Sequence, residues 1–511
     1  MAYGTIPELL DAAAARSPDK DWLLYGDERY SYAQAAGRVA AIAGGLAARG
    51  VGRGSLVLAT ARNSPAYLFC WLAVVRLGAV YVPVNPRSSR EELAGLVAQT
   101  QPHLVVTDTS LRDAVGHGAA GKVDVDDLAS GSRPASPAEP RDIPPRPEDP
   151  AVLIPTSGTT GRSKLVTQTH RGYAMAGEGF PYWMQLTADD RLMTSLPLFH
   201  INAPAYSVLG SVAAGASLVL LPRFSASTFL ASARRHGATE FNAIGAMLEM
   251  LMNQPARPDD ADNPLRRCYT GPSPPKERHL QIEERFGIEI VCGYALSESP
   301  YGLCWRHGTR PYGTLGSLRQ HPHLGTVNEG RVMDDGHEVL PGGVGELELR
   351  NPAVMLGYWG MPEETGQVLV DGWLRTGDLV RDNGDTTFTF VGRRKEVIRR
   401  RGENLSPAEV EAALAEHPDV VEAAVVGVTS ALTEEEVKAF VVLREGASAE
   451  LAEIREFAAR RLAGFKVPRY VEVAGELPHT PTGRVAKRQL PAGLTGREWD
   501  AGQQRMVDPP S

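Results

Sequence analysis

The stretch "PTSGTTGRSK", Pro155–Lys164, packs hydroxyls, glycines and one cation behind the short apolar run "AVLI". Small residues let backbone N–H groups approach an anion, hydroxyls donate, and a lysine balances charge, so this composition suits a phosphate-cradling loop. Gly158 and Gly161 have the wrong spacing for a Walker loop and no Lys-Ser/Thr follows; an ordinary Ser/Thr/Gly turn shares the composition. "GYALSES", Gly293–Ser299, places Glu298 after a second apolar run. A hard cation beside phosphates takes only one or two protein carboxylates, although a solvent-facing loop glutamate reads the same way. "WLRTGDLV" offers Asp378 in a Thr-Gly-Asp turn, a carboxylate able to accept from both hydroxyls of a ribose. "GRRKEVIRRRGENLSPAEVE" follows it. This is a solvated basic face rather than a nucleic-acid patch, since no aromatics flank it and the chain as a whole is acidic.

The elements that must position these residues alternate. Helical periodicity in "YSYAQAAGRVAAIAGGLAARG" gives way to "SLVLAT", a second helical stretch leads to "AVYVPV", and a third to "HLVVTD". After the Pro-rich loop 128–150 the β-rich runs resume as "AVLIPT", "DRLMTSLPL", "ASLVLL", "TEFNAI" and "IEIVCGY". Helices alternating with short strands predict α/β layers around a largely parallel sheet. From 325 to 392 helices give way to β runs with Gly/Pro turns, predicting a small barrel-like region. Beyond 393, "LSPAEVEAALAEHP" predicts a helix with Ser406 as N-cap, Pro407 at the first position and Glu409 completing a capping box. Strands "VEAAVVGV", "KAFVVL" and "YVEVAG" and a helix near 449–462 complete an α+β unit of about 100 residues. The end from about 491 reads as a loose segment.

At 511 residues two or more domains are expected. A net charge of -8 argues against nucleic acid as a general partner. The first residues lack a basic region followed by an apolar run, and "YLFCWLAVVRLGAVYVPV" is interrupted by Arg76, so neither a secretion signal nor a membrane span is expected. The four cysteines, Cys70, Cys268, Cys292 and Cys304, are scattered, which fits reduced thiols in a cytoplasmic enzyme.

Together "TSGTTGRSK", "PLFHINA", "GYALSE", "GWLRTGDL", "GRRKEVIRRRGENLSPAEVE" and "TPTGRVAKRQL" resemble, in this order and over nearly the whole chain, the adenylate-forming superfamily of acyl- and aryl-CoA synthetases, luciferases and nonribosomal-peptide adenylation domains. "PLFHINAP" and "IRRRGENLSPAEVE" are most similar to the carnitine/crotonobetaine-CoA-ligase-like branch. The resemblance implies an AMP-binding adenylation domain over 1–393, and a small mobile C-terminal domain over 394–511 that swings about a hinge at Lys395. It implies that ATP phosphates meet Thr156, Ser157, Gly158, Thr159, Thr160, Gly161 and Lys164. Gly271, Pro272 and Ser273 would line the adenine pocket with Gly293 and Ala295, Tyr294 would stack on adenine, and Ser297 would touch the α-phosphate. Glu298 would bind Mg²⁺, and Asp378, with Arg393 nearby, would hold the ribose. His200, a candidate catalytic residue as well, would border an acid pocket lined by Ala243, Gly245, Met247 and Ala295.

The implied reaction activates a carboxylic acid as acyl-AMP and passes it to a thiol, usually that of CoA. The family's C-terminal lysine is replaced by Arg484 in "TPTGRVAKRQL", with Lys487 three residues on. Arginine is not a conservative exchange at a bridging site. Three readings stay open: a ligase using Arg484 or Lys487, an enzyme of the same fold that activates nitrite to diazotise an aryl amine as some natural-product relatives do, and a nucleotide-binding relative that no longer catalyses. A small-molecule substrate is implied in the first two, and homodimerisation is an expectation by analogy alone.

Overall fold

A computed structural model describes residues 4–111, 121–130, 144–156, 163–271, 273–400, 403–429, 435–447, 449–480 and 485–507. The chain forms two compact units. One comprises Met1–Arg331, Glu348–Thr376 and Asp385–Phe388; the other comprises Val332–Leu347, Gly377–Gly384 and Thr389–Ser511.

The first unit is built on two sheets. A seven-stranded sheet runs, edge to edge, through Gly357–Tyr358, Lys164–Thr169, Pro150–Thr156, Val80–Pro83, Leu56–Thr60, Leu104–Thr107 and Lys122–Asp124. A nine-stranded sheet runs through Ser317–Leu318, Leu303–Cys304, Glu289–Tyr294, Arg267–Thr270, Glu240–Asn242, Arg191–Thr194, Ser217–Leu220, Asp21–Tyr25 and Glu28–Ser31. The middle strands of both pair in parallel, as helices alternating with strands require. The apolar run around Cys70 becomes helix Pro65–Arg76, buried on every face from Pro65 to Val75, followed by strand Val80–Pro83. Among the described residues no helix is long and apolar enough to cross a membrane. All four cysteines are buried free thiols. Burial pushes Cys70 and Cys292 up to about 12.

Strands Glu329–Asp334, Val344–Arg350, Trp373–Asp382 and Phe388–Arg393 make the expected β region. It is not free of helix: Pro362–Val368 lies inside it, started by a proline at its first turn and two glutamates.

The second unit carries a five-stranded sheet ordered Val420–Thr429, Glu435–Leu443, Tyr470–Val473, Trp499–Asp500 and Arg505–Met506, with helices Pro407–Ala415 and Leu451–Ala459. Two expectations fail here. Ser406 precedes the helix but makes no capping bond; its hydroxyl donates to the Val391 carbonyl instead, and Glu409 pairs with Lys466 at 2.6 Å. The stretch from 491 to 507 is not loose, for it supplies the last two strands. Its anchor is an ionic one that hydrophobic patterning cannot reveal: Lys438, fully buried, pairs with Glu498 and, at 2.8 Å, with Glu472. Burial alone would raise the Glu498 carboxyl, but its bonds from Lys438 and the Thr495 N–H bring it down to about 2.

Because that folded value lies below the unfolded one, the stabilisation is present above about pH 4.5 and is lost as pH falls toward 2. Glu498→Ala should therefore cost the second unit about 3 kcal/mol at neutral pH, since it strips a partner from a buried charge. Urea unfolding should show both the lower midpoint and a flatter acid limb between those pH values.

Candidate active site

The strands on either side of the Ser/Thr/Gly segment, Pro150–Thr156 and Lys164–Thr169, pair antiparallel. Thr156 ends one strand and Lys164 begins the next; the two residues pair directly, and the Thr156 hydroxyl donates to the Lys164 carbonyl at 3.2 Å. Ser157, Gly158, Thr159, Thr160 and Gly161 lie outside the described residues, as does Pro272.

On the nine-stranded sheet, the candidates gather at the carboxyl ends of three adjacent parallel strands. Ala243, Gly245 and Met247 follow Glu240–Asn242, Gly271 and Ser273 follow Arg267–Thr270, and Tyr294–Glu298 follow Glu289–Tyr294. Carboxyl ends of parallel strands are where open α/β sheets bind ligands. Glycine is required in this crowd: a Cβ on Gly271 would sit 2.2 Å from the Gly293 carbonyl, and one on Gly293 would sit 2.6 Å from the Tyr269 hydroxyl. Gly245, in contrast, faces open space, while Ala243 and Met247 are buried.

The loop after Tyr294 is fastened from several sides. Gln168 donates to the Ser297 carbonyl at 2.8 Å, Met355 N–H to the Glu298 carbonyl at 2.8 Å, and Asn351 to the Ser299 hydroxyl at 3.2 Å. Tyr294, Ala295, Ser297 and Glu298 are left half-buried. The Glu298 carboxylate accepts from the Tyr358 hydroxyl at 3.0 Å, and the Lys164 ammonium lies 4.3 Å from the centre of the same ring.

His200 follows strand Arg191–Thr194 with its ring 4.5 Å from that of Phe199. Burial lowers its imidazole to about 4. It therefore stays neutral through the physiological range, an apolar wall with a buried polar edge and no cation.

Arg319 escaped the sequence reading. Only 2% exposed, it donates to the Leu303 carbonyl at 3.0 Å, to the Pro300 carbonyl at 2.8 Å, and to the hydroxyls of Tyr206 and Tyr269. Its guanidinium also lies 4.3 Å from the Trp183 ring. No carboxylate among the described residues comes within salt-bridge distance of it.

In the second unit Asp378 is not in an open turn. It lies inside strand Trp373–Asp382, 2% exposed, with Gly377 at a φ of +72° just before it. Arg393 Nε stands 3.1 Å from its carboxylate. Beside this pair, Glu346 accepts from the Gly377 N–H at 2.9 Å and from Arg394 at 2.7 Å. Neither Glu346 nor Arg394 stands out in the sequence: Glu346 alternates with leucine in an ordinary strand pattern, and Arg394 is one of several adjacent basic residues. Lys395 has its backbone in the short turn Arg394–Glu396.

Lys487, one of two candidates for the bridging cation, opens the short helix Lys487–Gln489, where its ammonium pairs with Glu411 at 2.6 Å and Glu396 at 3.3 Å. Burial raises the Glu411 carboxyl, opposed by Lys487 itself. Arg484 lies outside the described residues.

Among the described residues no group of three His, Cys, Asp or Glu could hold a metal by itself. A cation delivered with phosphates needs only a single protein carboxylate and otherwise keeps water and phosphate oxygens.

Comparison with known proteins agrees with this layout. The AMP-binding enzyme family matches residues 10–359, and the AMP-binding enzyme C-terminal domain matches residues 409–484. A crotonobetaine/carnitine–CoA ligase from Salmonella agona is 31% identical over 86% of this chain and 89% of its own. An indoleacetate–CoA ligase from Aromatoleum aromaticum is 33% identical over 96% of this chain and 99% of its own. The structure of O-succinylbenzoate coenzyme A synthetase from Bacillus subtilis, in complex with ATP and magnesium ion, superposes with a TM-score of 0.84 at 27% identity, covering 94% of this chain and 98% of that one. This chain belongs to the AMP-binding enzyme family, the adenylate-forming ligases.

Proposed function

We propose that the protein joins a carboxylic acid to CoA through an acyl adenylate. The observation that carries this reading is the convergence at one set of strand ends: the buried residues Ala243 and Met247, the Tyr294–Glu298 loop, and the Glu298 carboxylate tied through Tyr358 to Lys164. Similarity to two CoA ligases over most of their length supports the acceptor.

In the first half-reaction a carboxylate oxygen attacks the α-phosphorus of ATP, and pyrophosphate leaves. Such a transfer is helped mainly by placing charge around phosphorus. Lys164 and the hydroxyls of the 156–161 loop hold the β- and γ-phosphates, and Ser297 touches the α-phosphate. Tyr294 stacks on adenine against Gly271–Ser273. Asp378 holds the ribose diol, with Arg393 Nε 3.1 Å from its carboxylate. A Mg²⁺ ion on Glu298, when bound, would neutralise charge between phosphates.

Arg484 bridges the acid and the α-phosphate, since Lys487 is engaged with Glu411 and Glu396. In the second half-reaction the C-terminal domain swings about the turn at Lys395, which falls between the segments matched by the two family domains. The CoA sulfur then attacks the acyl carbon, AMP leaves, and the thiol proton passes to solvent. The neutral His200 borders a pocket that takes the acid's apolar body. The reading also keeps a cytoplasmic location and a homodimer as its expectations.

Pyrophosphate release is to be measured with ATP–Mg²⁺ across aliphatic and aryl acids, and with nitrite, each with and without CoA. The expected result is release with one class of organic acid, followed by loss of free CoA thiol. Release with nitrite alone, or with none of these, overturns the reading.

A further inference from the structure

Tyr358 belongs to none of the motifs above, yet it touches two residues assigned to binding that are 134 positions apart, Lys164 and Glu298. Its place is set by backbone contacts that leave the ring little choice. Strand Gly357–Tyr358 pairs antiparallel with Lys164–Thr169, placing Tyr358 opposite Val166, and the next residue, Trp359, donates its N–H to the Leu165 carbonyl at 2.8 Å. The Tyr358 N–H is itself held by the Thr365 hydroxyl at 2.9 Å. Gly357 turns into this strand at a φ of +141°, where a Cβ would meet Thr365 at 2.6 Å, so the approach depends on glycine. The ring is 9% exposed.

The consequence is a rigid spacer. The strand that starts with Lys164 carries the ring on its neighbour, the ring face receives the ammonium, and the ring edge fixes the carboxylate. A cation over an aromatic face is attracted by the ring's quadrupole, and a hydroxyl donating to a carboxylate makes a charge-assisted hydrogen bond. Neither contact involves a reacting atom.

We propose that Tyr358 is a positioning residue that sets the separation of Lys164 and Glu298, and so couples cation binding at Glu298 to phosphate binding at Lys164. This rests on the activity proposed above, in which Lys164 meets phosphate and Glu298 meets Mg²⁺. Two substitutions divide the residue's contacts. Tyr358→Phe keeps the ring under Lys164 and removes the hydroxyl from Glu298; Tyr358→Leu removes both.

ATP binding by the full chain is read calorimetrically without acid or CoA, once in EDTA and once across a Mg²⁺ series. For Tyr358→Phe the expected result is an affinity in EDTA equal to that of the unsubstituted chain, with the Mg²⁺ midpoint raised about tenfold, the loss of one charge-assisted hydrogen bond. For Tyr358→Leu both should move, the EDTA affinity falling about threefold to tenfold. The unchanged EDTA affinity of Tyr358→Phe also shows that the variant is folded. A Mg²⁺ midpoint in Tyr358→Phe equal to that of the unsubstituted chain overturns the proposal alone. Absence of ATP binding by the unsubstituted chain overturns the activity reading and the proposal with it.

Discussion

Glu298→Gln should lower acid-dependent pyrophosphate release by about 100-fold or more, the equivalent of roughly 3 kcal/mol of barrier. The amide keeps the oxygen that accepts from Tyr358 at 3.0 Å, so the loop should hold its shape. What it loses is the charge that would hold Mg²⁺. The effect should therefore concentrate in the adenylation step and leave the second half-reaction, started from synthetic acyl-AMP and CoA, within a few-fold of the parent. Stopped assays of the two half-reactions separate these cases. Equal losses in both would mean that Glu298 supports the architecture and has no special part in adenylation.

The second large effect concerns stability. Arg319→Ala would leave the carbonyls of Leu303 and Pro300 and the hydroxyls of Tyr206 and Tyr269 without their common donor, inside a cavity walled by Trp183. Buried acceptors stripped of a partner cost about 1–3 kcal/mol each before any relaxation. A total near 4 kcal/mol is expected after the cage collapses in part. In a thermal scan, the first unit should melt on the order of 5 °C or more below the parent. Arg319→Lys should not rescue it, because one ammonium cannot reach four acceptors arranged around a planar fork. Melting within 1 °C or so of the parent would show that the cage is replaceable by water.

Much of this arrangement was legible from residues alone, for a physical reason. Parallel strands buried on both faces are written as short continuous apolar runs, so "SLVLAT", "AVYVPV" and "IEIVCGY" announce themselves as Leu56–Thr60, Val80–Pro83 and Glu289–Tyr294. Among the described residues placed by resemblance, Thr156, Gly271, Ser273 and Tyr294–Glu298 lie at or just beyond strand ends, whereas Asp378 lies inside a strand. What stayed hidden depends on contacts far apart in sequence. Tyr358 sits on a strand of two residues, too short for any period to show. Arg319 resembles a surface arginine until the aromatic rings that enclose it are brought in from three other segments. The tail after 491 lacks hydrophobic alternation, and its attachment is a buried lysine met by a glutamate 60 positions away. Ser406 had the composition of a cap, but a nearby carbonyl won its hydroxyl.

The buried thiols bear on how the second half-reaction can be followed. A reagent that counts free sulfhydryls by colour reacts with thiolate, and Cys70, Cys268, Cys292 and Cys304 are enclosed, with ionisation disfavoured at each. The native chain should contribute almost no background to such a titration, so disappearance of colour can be assigned to CoA. For the same reason preparations need no added reductant, which would itself consume the reagent.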